Sequence, residues 1–199
     1  MMLPVVRVTM PADLAKATNG RLWPSQLAPM HLPGANTAVL HSLAARAFGA
    51  LFVAALAETG QTMTATSAAD CYRSFDLQLT AWNVRMVAKY NPITCTRTRK
   101  VWNGKTWWLR RGMAQVATPG SSNHGWGLAV DVGLWDASAR KVRPVDGNPW
   151  FWGWLLANAA SFGLSWEVQS EPWHLRYTAG DAVPQRVLDI EAFLAGAKP

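Results

Sequence analysis

The chain has 199 residues, half of them hydrophobic, which suits a single globular domain with a sizeable core. Lys and Arg outnumber Asp and Glu by 19 to 12, giving a formal charge of +7, and there are 12 Trp. This composition excludes collagen-like, coiled-coil and disulfide-scaffold proteins. The positive charge leaves nucleic acid, a membrane surface and acidic polymers open as partners.

Two stretches of the sequence bear on localisation. Residues 1–11 hold one Arg and two Pro and no apolar stretch of signal-peptide length. The longest apolar run, residues 47–57, is too short to cross ~30 Å of hydrocarbon. We therefore expect a protein made in the cytoplasm without a Sec signal and without stable membrane insertion.

The secondary structure of the first half of the chain can be predicted from the positions of Pro and Gly and from the spacing of apolar residues. Five Pro make residues 1–34 a loop-rich segment packed on the domain formed by residues 35–199. The elements that follow are a helix capped at Asn36-Thr37 and ended by Gly60, a weak strand within 62–68, and a helix from Ser74 to about Tyr90.

Residues 94–111 predict a β-hairpin inserted into this domain. Asn103-Gly104 suits a type I′ turn between two Thr-, Val- and Trp-rich runs. The insertion carries many cations and indoles, namely Arg97, Arg99, Lys100, Lys105, Arg110, Arg111, Trp102, Trp107 and Trp108. Two interpretations stay open: a solvated hairpin protected at its edge, or an arm that grips an anionic or sugar-rich polymer.

The second half alternates short strands with helices. The predicted elements are strands at 128–132, 165–168 and 173–177, a turn at 144–149, a helix from Asn148 to about Phe162, and a last helix from Asp181 to Leu194. Mixed order of this kind predicts an α+β fold with a small antiparallel sheet and flanking helices. Cys71 and Cys95 are interpreted as small buried residues, and whether they pair stays open.

Four residues in the second half suggest metal chemistry. A catalytic zinc site needs three ligands from His, Asp or Glu and one open position. His124, Asp131 and His174 are candidate ligands, and Glu171 is a candidate general base. The spacing alone is only suggestive, because a His near an acid is more often an ordinary pair.

The wider pattern around these residues is much more specific. Ser-x-His-x-x-Gly-x-Ala-x-Asp spans 122–131, and Glu-x-Trp-His spans 171–174. Upstream, Tyr-Arg-Ser-Phe-x-x-Gln spans 72–78. The three motifs, in this order, resemble the zinc DD-peptidase family, which includes D-alanyl-D-alanine carboxypeptidases of the vancomycin-resistance type and phage endolysins. The resemblance covers roughly residues 60–180.

The resemblance implies a fold and a role for each motif residue. It implies a hedgehog/DD-peptidase-like zinc fold in which His124, Asp131 and His174 bind Zn²⁺. Glu171 is then the catalytic base and acid, and Arg73 stabilises the polarised carbonyl oxygen. The residues expected to bind substrate or support the site are Ser122, Tyr72, Gln78, Trp126 and Trp173, of which Trp173 is read first as a packing residue.

The expected function is cleavage of an amide bond in the stem peptide of peptidoglycan. The resemblance to phage enzymes favours an endolysin-type endopeptidase, such as one cutting L-Ala–D-Glu, acting as a monomer after holin-type release to the cell wall. A D-alanyl-D-alanine carboxypeptidase is the alternative. A non-catalytic wall-binding module has no need of Glu171, and no sequence motif supports a nucleic-acid partner.

Overall fold

The computed structural model describes residues 2–196 of the chain. Its helices are α1 (Ser42–Thr59), α2 (Phe75–Arg85), α3 (Pro149–Asn158) and α4 (Gln185–Leu194). Its strands are β1 (Leu27–Met30), β2 (Ala38–His41), β3 (Met63–Ala65), β4 (Met86–Val87), β5 (Cys95–Trp102), β6 (Lys105–Arg110), β7 (Ala129–Asp136), β8 (Lys141–Pro144), β9 (Leu164–Trp166) and β10 (His174–Tyr177).

A five-stranded antiparallel sheet lies at the centre of the fold. Its strand order is β3-β7-β10-β9, and β8 pairs with the second half of β7. The apolar side chains of β7 and β10 pack with α1 and α3 into the main core, where Val130, Leu175 and Phe151 are fully buried. The predicted α+β fold with a small antiparallel sheet is therefore confirmed.

The core helix α1 begins later than predicted. Residues 38–41, expected in the helix, form β2 and pair with β1, a strand inside the segment predicted to be loop-rich. Only residues 31–37 separate the two strands, but the apolar residues of 38–41 also fit the helical spacing of the segment that follows, so that spacing did not reveal the strand. Gly60 ends the helix as predicted, with a φ of 68°.

Within residues 2–196, α1 is also the one helix that is long and apolar enough to cross a membrane. Half of its 18-residue window is buried inside the fold. Length and composition alone are weak evidence for a membrane span, because a buried core helix meets the same criteria.

The predicted hairpin is present as β5 and β6. Asn103 and Gly104 have φ values of 49° and 70°, the positive angles that a type I′ turn requires. The strand β4 adds to β6, so the insertion is a three-stranded sheet. This pairing ends α2 at Arg85, before the predicted end near Tyr90, because the next two residues leave the helix to join β6.

A second, smaller core holds this three-stranded sheet on α2. The indole of Trp82 is completely buried, and its ring centroid lies 5.6 Å from those of both Trp102 and Trp107. Met86, Leu109 and Val116 are the other buried residues of the cluster. Two of the three hairpin indoles therefore have a packing role.

The last helix also differs from its prediction. It begins after Pro184, and Asp181 does not cap it. The Asp181 carboxylate instead accepts a hydrogen bond from the backbone N–H of Ala12, at 2.9 Å, and so fastens the N-terminal segment to the domain. Cys71 and Cys95 are both buried and both free, in line with their interpretation as packing residues.

Replacement of Trp82 by Ala should destabilise the protein strongly, because it empties the centre of the second core. We expect a loss of about 3–5 kcal/mol in the free energy of unfolding, measured by urea denaturation followed by circular dichroism. The control is Trp150→Ala, since that indole is 60% exposed; its effect should stay within about 0.5 kcal/mol. Equal losses in the two variants would contradict a second core.

Candidate active site

Asp131 and His174 face each other across two adjacent strands. They are direct partners in the β7–β10 register, and opposed residues in an antiparallel pair share one face of the sheet. Asp131 Oδ1 and His174 Nδ1 are 2.8 Å apart. Strand pairing thus joins two predicted ligands that are far apart in the sequence.

His124 reaches the same point from the 3₁₀ turn that precedes β7. Gly127 closes this turn with a φ of 63°, a conformation that favours glycine. A Cβ on Gly125 would lie 2.1 Å from Asn19 Oδ1, so the close packing beneath the turn leaves no room for a side chain. His124 Nε2 lies 3.5 Å from Asp131 Oδ1.

The orientation of each imidazole is set by a hydrogen bond on the side away from Asp131. His124 Nδ1 lies 3.2 Å from the carbonyl oxygen of Cys71, which can only accept, so this nitrogen carries the proton and Nε2 faces the site. His174 Nε2 lies 2.9 Å from Glu167 Oε2, which leaves its Nδ1 facing the site. Such outer hydrogen bonds are typical of imidazoles that bind metals.

Glu167 and Arg176 form a buried ion pair behind His174. Glu167 directly follows β9, and its second carboxylate oxygen accepts a hydrogen bond from the Arg176 guanidinium. Glu167 lies outside the three motifs and was not predicted. Arg176 is only 6% exposed, so the pair lies inside the protein and not on its surface. The only sequence signal is period-two alternation, which places His174 and Arg176 on one face of β10.

The carboxylates around His174 favour positive charge. Burial works against ionisation of Asp131, but hydrogen bonds from His124 and His174 hold the pKa of that carboxyl well below its usual range. Burial would also lower the pKa of His174, yet the carboxylates of Asp131 and Glu167 outweigh it and raise this pKa to about 9. The site is therefore electrostatically suited to a cation.

The donor set fits zinc. One atom from each of His124, Asp131 and His174 lies within 4.8 Å of the other two, and all three side chains are buried or half-buried. Two imidazole nitrogens and one carboxylate oxygen leave a fourth position open, which is the arrangement of catalytic zinc sites. The predicted zinc cofactor is thus supported by the geometry of the ligands.

A cleft of about 430 Å³ opens above the three ligands, and both predicted catalytic residues line it. Glu171 sits in the turn between β9 and β10, where its carbonyl oxygen accepts from the backbone N–H of His174 at 3.0 Å. Arg73 is held by Asp70, whose Oδ1 accepts from the guanidinium at 2.7 Å. Asp70 was not among the predicted residues.

The other predicted residues fall into two groups. Ser122 and Trp173 line the cleft, and Trp173 is 41% exposed, so its role as a packing residue or as a substrate contact stays a prediction. Tyr72, Gln78 and Trp126 do not line it and have supporting contacts.

The supporting contacts fasten the segments that carry the cleft residues. The Tyr72 hydroxyl accepts from the backbone N–H of Leu22 at 3.0 Å, and Trp126 packs against the main core. The Gln78 amide donates to the carbonyl oxygen of Arg73 at 3.1 Å and accepts from the N–H of Gly120 at 2.8 Å. Gln78 therefore links the Arg73 segment to the loop that leads into the His124 turn.

One wall of the cleft comes from the loop that follows the hairpin, with Ala114, Gln115 and Ala117 as lining residues. Arg85 also lines the cleft and donates to the carbonyl oxygen of Gln115 at 3.2 Å. Lys100 donates to the carbonyl oxygen of Val116 at 2.7 Å. Within residues 2–196, the hairpin strands β5 and β6 themselves contribute no residue to the lining of the cleft.

The fold and the site together define a metallopeptidase-type domain with a His-Asp-His metal centre. The family model described as VanY, D-alanyl-D-alanine carboxypeptidase, matches residues 37–180. The chain belongs to this family, which confirms the resemblance to the zinc DD-peptidases.

Individual relatives agree with the family. A D-alanyl-D-alanine carboxypeptidase of Enterococcus faecalis is 30% identical to this chain over 99 residues. The match covers 48% of this chain but only 34% of the length of that protein. The structure of the LdcB LD-carboxypeptidase is 22% identical with a TM-score of 0.52, covering 90% of this chain and 81% of that one. VanYB, solved with D-alanine-D-alanine, is 21% identical with a TM-score of 0.50, covering 97% and 98%. These two structures support the predicted DD-peptidase-like fold.

Replacement of Glu167 by Gln should weaken zinc binding about 10–100-fold, because His174 loses the charged partner that fixes its orientation. The measurement is competition with a chromophoric chelator. The matched control is Glu191→Gln, which also removes a carboxylate paired with an arginine, Arg46, on an exposed surface. Unchanged zinc affinity in a folded Glu167→Gln protein would contradict this role.

Proposed function

We propose that the chain is a zinc peptidase that hydrolyses an amide bond in the stem peptide of peptidoglycan. The observation that carries the proposal is the convergence of His124, Asp131 and His174 at the floor of a cleft that Glu171 and Arg73 also line. Membership of the carboxypeptidase family supports the same substrate class. A purely binding module would not need a carboxylate and a guanidinium in the same cleft as the ligands.

In this proposal zinc, Glu171 and Arg73 each contribute to hydrolysis in a different way. Zinc, when bound, supplies Lewis acidity that polarises the scissile carbonyl and makes water a stronger acid. Glu171 takes a proton from the attacking water and passes it to the leaving amine. Arg73 keeps its charge at all working pH values and aims N–H donors at the negative charge that develops on the carbonyl oxygen.

Asp70 gives Arg73 a defined position for this task. Its carboxylate accepts from the Arg73 guanidinium and from the hydroxyls of Thr66 and Ser67, so the pair is tied to the end of β3. The Arg73 backbone N–H also donates to the carbonyl oxygen of His124, at 3.1 Å. The guanidinium is therefore fixed relative to a metal ligand before substrate arrives.

Two bonds are candidates for cleavage. We propose endopeptidase cleavage, with L-Ala–D-Glu as the candidate bond, because the three motifs are similar to those of phage endolysins. Removal of the terminal D-Ala fits the described residues equally well, and the description of the matching family favours it. The monomeric state and the release to the wall through a holin-type pore stay predictions.

Replacement of Glu171 by Gln should abolish proton transfer without removing a ligand. We expect the rate of release of new amino groups from purified peptidoglycan to fall about 10²–10⁴-fold, with about one zinc per chain retained. His124→Ala should lose both metal and activity. Glu191→Gln serves as the control, and full activity in Glu171→Gln would show the mechanism to be wrong.

Mass spectrometry of the released fragments separates the two bonds. Endopeptidase action should release peptides that begin with the residue after the cut, whereas carboxypeptidase action should release free D-Ala. Both digests are compared with that of the Glu171→Gln protein, so that fragments from contaminating hydrolases are subtracted. Free D-Ala as the sole product would overturn the endopeptidase proposal and leave the zinc peptidase proposal intact.

A further inference from the structure

The positive charge of the chain is concentrated in one part of the sequence. Residues 77–130 contain eight Lys and Arg and no Asp or Glu. Outside this stretch, 11 basic residues are balanced by all 12 acidic residues, so the excess positive charge comes from residues 77–130, chiefly from the three-stranded sheet and the loops that flank it.

These eight cations have no acidic partners. Every Lys or Arg that forms an ion pair in the described chain lies outside residues 77–130. Three of the eight donate to backbone carbonyls instead, namely Arg85, Lys100 and Arg111. The others, Lys89, Arg97, Arg99, Lys105 and Arg110, are exposed.

The sheet has a buried face and an open face. Trp102 and Trp107 point to the buried face, where they pack on Trp82. Arg99 and Trp108 are register partners on the open face, with the guanidinium carbon 5.8 Å from the indole centroid. The Tyr90 ring lies 4.6 Å from that of Trp108. We call Tyr90, Arg97, Arg99, Trp108 and Arg110 the basic patch.

We propose that the basic patch binds a linear phosphodiester polymer of the cell envelope. Arg97 and Arg99 stand two residues apart on β5, and Arg110 lies on the neighbouring strand β6, so the cations are spread along the sheet, which suits a chain of repeated negative charges better than a single small anion. Guanidinium groups match phosphate oxygens in pairs, and exposed charge of one sign attracts a polyanion over a long range. This inference rests on the proposed action on the wall.

The arrangement of the indoles argues against a single-stranded nucleic acid as the partner. Such proteins stack successive bases on exposed aromatic rings. Here two of the three hairpin indoles are packed on Trp82, and the third is covered on its open face by Tyr90 and Arg99.

The patch is also separate from the catalytic cleft. None of its residues lines the cleft, whose nearest wall is Arg85 and the loop at 114–117. A polymer on the patch would therefore leave the cleft free for a stem peptide. Two contacts with the same wall raise the local concentration of substrate at the cleft without any change in its chemistry.

The test measures binding without turnover, in the Glu171→Gln background. Purified walls are compared before and after hydrofluoric acid extraction, which removes phosphodiester-linked polymers and leaves peptidoglycan. Co-sedimentation should show at least about tenfold tighter binding to intact walls, and poly(glycerol phosphate) in solution should compete. Arg97→Glu with Arg99→Glu should abolish the difference.

The matched control is Arg140→Glu with Lys141→Glu, which changes the net charge by the same amount at two exposed positions, the last residue of the turn after β7 and the first residue of β8. It should keep the preference for intact walls. Three outcomes would each overturn the proposal. The first is equal binding to intact and extracted walls, and the second is an equal loss of binding in the two double variants. The third is stronger competition by duplex DNA than by poly(glycerol phosphate) at equal phosphate concentration. Binding to intact walls by an unmodified protein that cleaves nothing would instead defeat the peptidase proposal alone.

Discussion

The pairing of β7 with β10 places the metal ligands, and most of the site depends on it. Asp131 opposes His174 directly, and the backbone N–H of Val132 donates to the carbonyl oxygen of Trp173 at 2.8 Å. A slip of one residue would turn Asp131 to the opposite face of the sheet and separate it from His174. The ladder is therefore a condition for the chemistry as well as for the fold.

The same register extends to β9. Leu175 opposes Trp166, so Glu167, the next residue after β9, comes level with His174. Asp131, His174 and Glu167 thus form one row across three strands, and Arg176 pairs with Glu167 from two positions further along β10. Loss of either member of this buried pair would leave an uncompensated charge next to a ligand, which is costly in a protein interior. The metal site and the ion pair behind it are one electrostatic unit.

The parts of the site that sequence could predict are those carried by short motifs. His124, Asp131, Glu171 and His174 each lie within one of two short stretches, and the Asn103-Gly104 turn is a local signal for the hairpin. Glu167 was not predicted because its role comes from strand register, and Asp70 was not predicted because it lies outside the three motifs, although it is only three residues from Arg73. The pairing of β1 with β2 was missed because the apolar residues of 38–41 also fit the helical spacing of the segment that follows. The sequence thus predicted the residues that carry the chemistry, whereas Glu167, which orients His174, became visible only from the pairing of the strands.

The division of the Trp residues explains how the insertion serves the cleft without entering it. Trp82, Trp102 and Trp107 make a rigid support that does not belong to the main core. Val116, in the loop that walls the cleft, packs into this support, while Lys100 holds the carbonyl oxygen of Val116. The position of the cleft wall relative to the zinc ligands is therefore set by two separate cores joined through α2. Since Arg73 precedes α2 and Arg85 ends it, this one helix connects the guanidinium that we propose to stabilise the reacting carbonyl to the part of the cleft lining where Arg85 contacts the loop at 114–117.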